Sequence, residues 1–129
     1  MATLDPPHVV LRQQWAEEAE ALERRRQLLQ AAAGEVAGAL KQQWPEPEAM
    51  WLFGSAATPQ GFRRHSDLDL ALAGLPAAAQ IAALALAERQ VDAALAAAGE
   101  TGIAIDLVRL EDLDPHWQGR IRQRAQRLF

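Results

Sequence analysis

The stretch Trp51-Leu52-Phe53-Gly54-Ser55-Ala56-Ala57-Thr58-Pro59-Gln60-Gly61-Phe62-Arg63-Arg64-His65-Ser66-Asp67-Leu68-Asp69-Leu70-Ala71-Leu72-Ala73 decides the fold. It reads as an apolar strand, a Gly-Ser turn, a polar loop with turn residues Pro59 and Gly61, and a second strand opening with two acids. In a strand, residues two apart share a face. Asp67 and Asp69 therefore lie side by side, with Leu68, Leu70 and Leu72 setting the apolar pattern. Two carboxylates held together repel each other unless a cation sits between them. Hard divalent ions such as magnesium take oxygen ligands and suit that arrangement.

Upstream, Asp5-Pro6-Pro7 is a good helix start, with Asp5 as cap and proline in the first turn. A helix is expected over 6–43, because Leu11, Trp15, Leu22, Leu29, Ala32, Val36 and Leu40 form one apolar stripe. At about 1.5 Å per residue it would be on the order of 50 Å long, more than a domain this size covers. The part from about Leu28 is expected on the core. The first half is left to project or to pair with another chain, a second copy included, and Gly34 is the place for a bend. Trp15 would then be an interface anchor. Arg24-Arg25-Arg26 reads as a solvated face, with Glu20 one turn before Arg24 as its partner.

Pro45 and Pro47 end that helix. Strands are expected over 48–53 and 67–73, closed by Gly74 and Pro76. A second helix is expected over 77–98, with Ile81, Leu84, Val91 and Leu95 on its apolar side. A third strand, 103–108, is apolar enough to be buried on both faces. A last helix starts at Asp112 or Asp114, with Pro115, and runs to about Arg127. The order α-β-β-α-β-α makes an α/β fold, a sheet with helices packed on it.

The chain has 129 residues, half of them hydrophobic, which suits one globular domain over 1–129. Its 13 basic and 17 acidic residues give a net charge of -4, a poor basis for non-specific nucleic-acid binding. It contains no cysteine, so disulfides and thiolate metal sites are excluded. No stretch reads as a signal peptide or a bilayer span, and a soluble cytoplasmic protein is the expectation.

Three features strengthen the Asp67–Asp69 pair as a site. Gly54-Ser55 directly follows a strand, so the next backbone amides can turn toward an anion. The acids open the neighbouring strand. A third acid, Asp106, interrupts Ile103-Ala104-Ile105-Asp106-Leu107-Val108, where an unpaired buried carboxylate is costly. The bland alternative for Asp106 is a strand-end acid that reaches solvent.

Leu52-Phe53-Gly54-Ser55, then Ser66-Asp67-Leu68-Asp69-Leu70, and later Ile105-Asp106-Leu107-Val108 together resemble the minimal nucleotidyltransferase family. These are small members of the DNA polymerase beta-like superfamily. The likeness covers most of the chain and is loosest over 1–27. It implies a small mixed sheet of about three to four strands with helices packed on it. It also implies that Gly54 and Ser55, beside Ser66, hold the phosphates of a nucleoside triphosphate. Asp67, Asp69 and Asp106 would be the catalytic acids and the ligands of two magnesium ions, with ATP as substrate. One departure stands out. The family's Gly-Ser-x-Ala-Arg-Gly pattern is broken here, with Thr58 where the arginine is expected and a longer spacer. Arg63, Arg64 or His65 are the loop's substitutes for that charge, although each also reads as a solvated loop residue.

On the last helix, Arg120, Arg122, Arg124 and Arg127 suit the C-terminal dipole, or form a basic edge facing a nucleotide or acidic partner. Trp117 and Ile121 read as core. Family members of this size resemble antitoxins that adenylylate a helical HEPN-type ribonuclease toxin. The resemblance therefore implies a magnesium-dependent transfer of AMP to a protein hydroxyl, with that toxin as partner. Two other readings stay open: a binding module that neutralises a partner by contact alone, and a small-molecule nucleotidyltransferase acting as a homodimer.

Overall fold

The computed structural model describes residues 7–129, so the expected Asp5 cap lies outside the described residues. Helix α1 spans Pro7–Gln43 without interruption at Gly34. Its buried residues begin only at Arg25 and include Leu29, Ala32, Ala33, Val36, Ala37 and Leu40. The expected stripe is therefore a core face in its second half alone. Val10, Leu11 and Trp15 stay exposed, Trp15 at 61%. The alanines at 32, 33 and 37 let α1 lie close to its neighbours.

Strand β1 (Ala49–Phe53) and strand β2 (Leu68–Ala73) pair antiparallel, Phe53 opposite Asp69 and Ala49 opposite Ala73. Helix α2 (Gln80–Ala97) then crosses over to strand β3 (Ile105–Arg109), which runs parallel to β2. A parallel neighbour requires such a crossover, and the apolar face of α2 covers the sheet along the way. Helix α3 (Pro115–Arg124) begins where the Asp114 carboxylate accepts the Trp117 amide at 3.0 Å, with Pro115 in the first turn. A short strand β4 (Gln126–Arg127) returns antiparallel to β1, giving the sheet order β3-β2-β1-β4.

Alternation along the strands divides the molecule into two faces. Met50, Leu52, Leu68, Leu70, Leu72 and Leu107 enter the main core with α1 and α2. Trp51, Ala71 and Ala73 enter a smaller cluster on the opposite side, under Ile121 of α3 and Leu110. Gly74, at φ 88°, closes the turn after β2. A side chain there would press on the Glu46 carbonyl at 3.1 Å, so glycine is required on both counts.

Four expectations need correction. β3 is an edge strand, and only Leu107 within it is fully buried, so it is not covered on both faces. On α2, Val91 and Leu95 are buried and Leu84 packs on the core as expected, but Ile81 is 84% exposed, and Ala83, Leu86 and Ala87 complete the buried side. The last helix stops at Arg124 rather than Arg127, because the backbone turns extended at Ala125 to enter β4. The Arg24-Arg25-Arg26 run is not one solvated face. Arg24 is exposed and sits 3.9 Å from Glu20, as expected, but Arg25 and Arg26 are buried.

Candidate functional site

Asp67, Asp69 and Asp106 share the sheet face that carries α3, opposite the main core. Asp69 has the parity of Ala71 and Ala73, which pack on that side, and Asp106 has the parity of Val108. Asp67 precedes the first residue of β2 and keeps the spacing of two from Asp69. The parallel register puts Asp106 directly opposite Asp69. Asp69 is half-buried, while Asp67 and Asp106 are exposed. The burial cost that drew attention to Asp106 in the sequence is therefore absent. Register, not burial, ties it to the pair.

The Gly-Ser turn meets this cluster from the other side. Residues Gly54–Ala57 form one turn of 3-10 helix straight after β1. Gly54 has φ 73°, and a Cβ there would collide with the Asp69 carboxylate. Backbone and acid are thus in direct contact, an approach that only glycine allows. Behind the turn, the Ala56 carbonyl accepts the Gln30 side-chain amide at 3.3 Å and the Arg26 guanidinium at 3.4 Å. Arg26 is itself clamped by both Glu23 carboxylate oxygens, at 2.8 and 2.6 Å. That clamp holds Glu23 below the ordinary carboxylate range and Arg26 above its own usual value. Arg25 binds the Thr101 and Gly102 carbonyls at 2.9 and 3.1 Å and Glu100 at 3.1 Å. The helix α1 thereby fixes both the Gly-Ser turn and the approach to β3. Sequence reading missed both arginines, because it took a three-residue run, which spans more than one helix face, as a single solvated face.

The Asp69 carboxyl is raised above its ordinary range, first by burial, then by the charges of Asp106 and Asp67. This is the field a divalent cation would neutralise. The donors, all carboxylate oxygens, match a hard ion such as magnesium. Among the described residues no three such side chains already converge into a metal-holding group. Mutually repelling carboxylates have no reason to converge without a cation.

The loop residues are spread out. Ser66 closes its own loop: its hydroxyl accepts the Arg63 amide at 2.8 Å, and its amide donates back to the Arg63 carbonyl at 3.1 Å. The Arg63 guanidinium donates to the Phe62 carbonyl at 3.2 Å. Arg64 and His65 line a hollow with Arg25, Thr101 and Gly102. The Thr58 hydroxyl donates to the Gln60 carbonyl at 3.1 Å. Gly54 and Thr58 instead line a cavity of about 450 Å³ whose other wall is Trp117, Arg120 and Arg124 of α3. Trp117 is 48% exposed on that wall and is not the core residue it was expected to be, whereas Ile121 is buried as expected.

A family model described as polymerase beta, nucleotidyltransferase matches residues 35–129. Solved structures share the fold. A toxin–antitoxin with AMP-PNP is 19% identical, covers 74% of this chain and 72% of its own, and has a TM-score of 0.50. A mutant of the toxin–antitoxin MntA–HpeT is 18% identical over 74% of this chain and 70% of its own, also at 0.50. No curated protein matches the sequence significantly. Among the described residues no helix is long and apolar enough to cross a membrane.

Proposed function

The chain belongs to the polymerase beta nucleotidyltransferase family, and from that premise we propose that it transfers AMP from ATP to a hydroxyl of a protein acceptor, a HEPN-type toxin. The observation that carries the reading is the contact of Gly54 with Asp69, with Asp67 and Asp106 beside it on the same face. A phosphate-holding turn packed against a carboxylate cluster is what an in-line displacement at phosphorus needs. That similar folds occur in toxin–antitoxin assemblies, one holding AMP-PNP, is in keeping with it.

In this reading the backbone amides after Gly54, with Ser55, hold the phosphate chain. The acceptor hydroxyl oxygen attacks the α-phosphorus and loses its proton to solvent, the bond from the α-phosphorus to the α–β bridging oxygen breaks, and pyrophosphate leaves. Asp67, Asp69 and Asp106 would hold two magnesium ions, which when bound supply charge neutralisation at the attacking and leaving oxygens. The residues' own contribution is positioning. Gly54 lets the phosphate turn touch Asp69, and the β2–β3 register fixes Asp106 beside it. A protein acceptor and a cytoplasmic setting belong to this reading, in keeping with the toxin–antitoxin structures of similar fold.

The test is transfer from α-labelled ATP with magnesium in host-cell lysate, wild type against Asp67→Asn. One labelled protein band, lost in the variant, is the expected result. Label confined to small molecules would move the acceptor to that class. No label, with a partner nonetheless co-purifying, would overturn the enzymatic reading. It would favour a module that acts by binding alone, a reading in keeping with Thr58, whose hydroxyl donates to the Gln60 carbonyl within the loop.

A further inference from the structure

The cations that face the Gly-Ser turn come from the wrong end of the chain for a loop-based phosphate grip. Within the loop itself, Thr58 is bonded to Gln60, Arg63 to its neighbouring carbonyl, and Arg64 lies in another hollow. The cavity that contains Gly54 receives Arg120 and Arg124 instead, together with Trp117. The three recur at spacings of three and four on α3, so they form one stripe. Ile121, between them, is buried under the sheet and the Asp114 cap fixes the first turn, so the stripe is held on a rigid element.

Lacking an ion pair is common among this chain's surface arginines; what sets this stripe apart is its place on the cavity wall beside a half-exposed indole. Among the described residues, Arg25, Arg26 and Arg109 are each paired with a carboxylate, and Arg120 and Arg124 are not. Arg122, on the same helix, is used differently: its guanidinium lies 5.3 Å from the ring centre of buried Trp51. Arg120 lies 5.7 Å from the ring centre of Trp117, so a half-exposed indole and an unpaired guanidinium stand together at the cavity wall. The cavity's 450 Å³ falls within the roughly 300–1,000 Å³ of small-molecule sites. It lies on the carboxylate face of the sheet, next to Asp69 through Gly54.

We propose that α3 is the nucleotide-binding wall of this site, Arg120 and Arg124 gripping the anionic triphosphate and Trp117 stacking on the base. This rests on the reading of the site as one that takes a nucleoside triphosphate. The division of labour follows from the chemistry. Guanidinium groups bind phosphate oxygens through charge-assisted, often two-pronged hydrogen bonds. An indole face takes any nucleobase by stacking, with little base selectivity. Base and phosphates are thus read by different residues of one helix, and their contributions are separable.

The experiment is calorimetric titration of the full chain, in magnesium buffer, with AMP-PNP and with inorganic tripolyphosphate, which lacks a base. Replacing both arginines (Arg120→Ala with Arg124→Ala) is expected to weaken both probes by roughly tenfold or more. Trp117→Leu is expected to weaken AMP-PNP by roughly tenfold and to leave tripolyphosphate unchanged. Arg122→Ala removes the same charge from the same helix outside the cavity and is expected to change neither by more than about twofold. The double variant Arg120→Lys with Arg124→Lys keeps the charge and is expected to recover part of the affinity, which a folding defect would not allow. AMP-PNP binding that is unchanged in both the arginine and tryptophan variants overturns the proposal and leaves the transferase reading standing. A wild-type chain that binds neither probe overturns both.

Discussion

Gly54 and Asp69 are the pair on which the site turns, and each carries a cost the fold accepts. A side chain at residue 54 meets both a left-handed backbone and the Asp69 carboxylate. Gly54→Ala is therefore expected to lose about 1–3 kcal/mol from the backbone conformation alone, seen as a lower urea midpoint, together with loss of transfer. Asp69 is the reverse case. Its pKa is raised in the folded state, so the native protein holds that proton more tightly than the unfolded chain does. In metal-free buffer this contribution to stability is lost as pH rises through the raised folded value and is regained as pH falls. Asp69→Asn removes the penalty. The variant is expected to melt higher than wild type at neutral pH in chelator, with the difference closing as the buffer is acidified, and to transfer nothing. A variant that melts lower at neutral pH would show that the carboxylate is not the strained group. The spacing of Asp67 and Asp69 was legible in the sequence, because strand parity needs only counting. Gly54 and Asp106 were legible as companions of that pair from the strand order and the odd acid in an apolar strand, but not their actual contact and register, which tertiary pairing sets.

At the scale of elements, α1 is the brace of the site, and here sequence reasoning failed for a geometric reason. Consecutive helical residues are about 100° apart, so a run of three spans far more than one face. Arg24-Arg25-Arg26 cannot all be solvated on a helix whose next turn is buried. Arg24 points to water, Arg25 to the turn before β3, and Arg26 to Ala56. Arg25→Ala leaves Glu100 and two backbone carbonyls without their partner. Its expected cost is on the order of 2–4 kcal/mol, against a change within about 0.5 kcal/mol for Arg24→Ala; chemical denaturation of the two variants checks the contrast. The helix-strand order and most element bounds were readable from periodicity and from Pro45, Pro47, Gly74 and Pro115. β4 was not, because two residues between helix and chain end carry no alternation to read. The apolar side of α2 was read correctly at Leu84, Val91 and Leu95 but not at Ile81. Ala83 and Ala87 lie on the buried side beside Leu86, Val91 and Leu95, and the larger Ile81, which looked like core, faces out.

At the scale of the molecule, the family match begins at residue 35, while the described part of α1 begins at Pro7. The part of α1 before Leu22 contributes nothing to either core cluster, yet it carries Val10, Leu11 and Trp15 exposed. Stability and partner binding are therefore expected to separate along this one helix. Leu29→Ala, fully buried among the core residues, is expected to cost about 2–5 kcal/mol. Trp15→Ala removes an indole that packs on nothing in the core, and its melting temperature is expected to stay near wild type, a change of about 0.5 kcal/mol or less. If the acceptor is a protein, the same substitution is expected to raise KM for that acceptor several-fold, by loss of an aromatic anchor worth about 1–2 kcal/mol. The affinity for AMP-PNP, which the proposal places at the other side of the sheet, would be unchanged. Steady-state transfer and calorimetry on one preparation of Trp15→Ala decide the matter. A fall in nucleotide affinity would place the exposed half of α1 in the service of the site, and an unchanged acceptor KM would remove it from the partner surface.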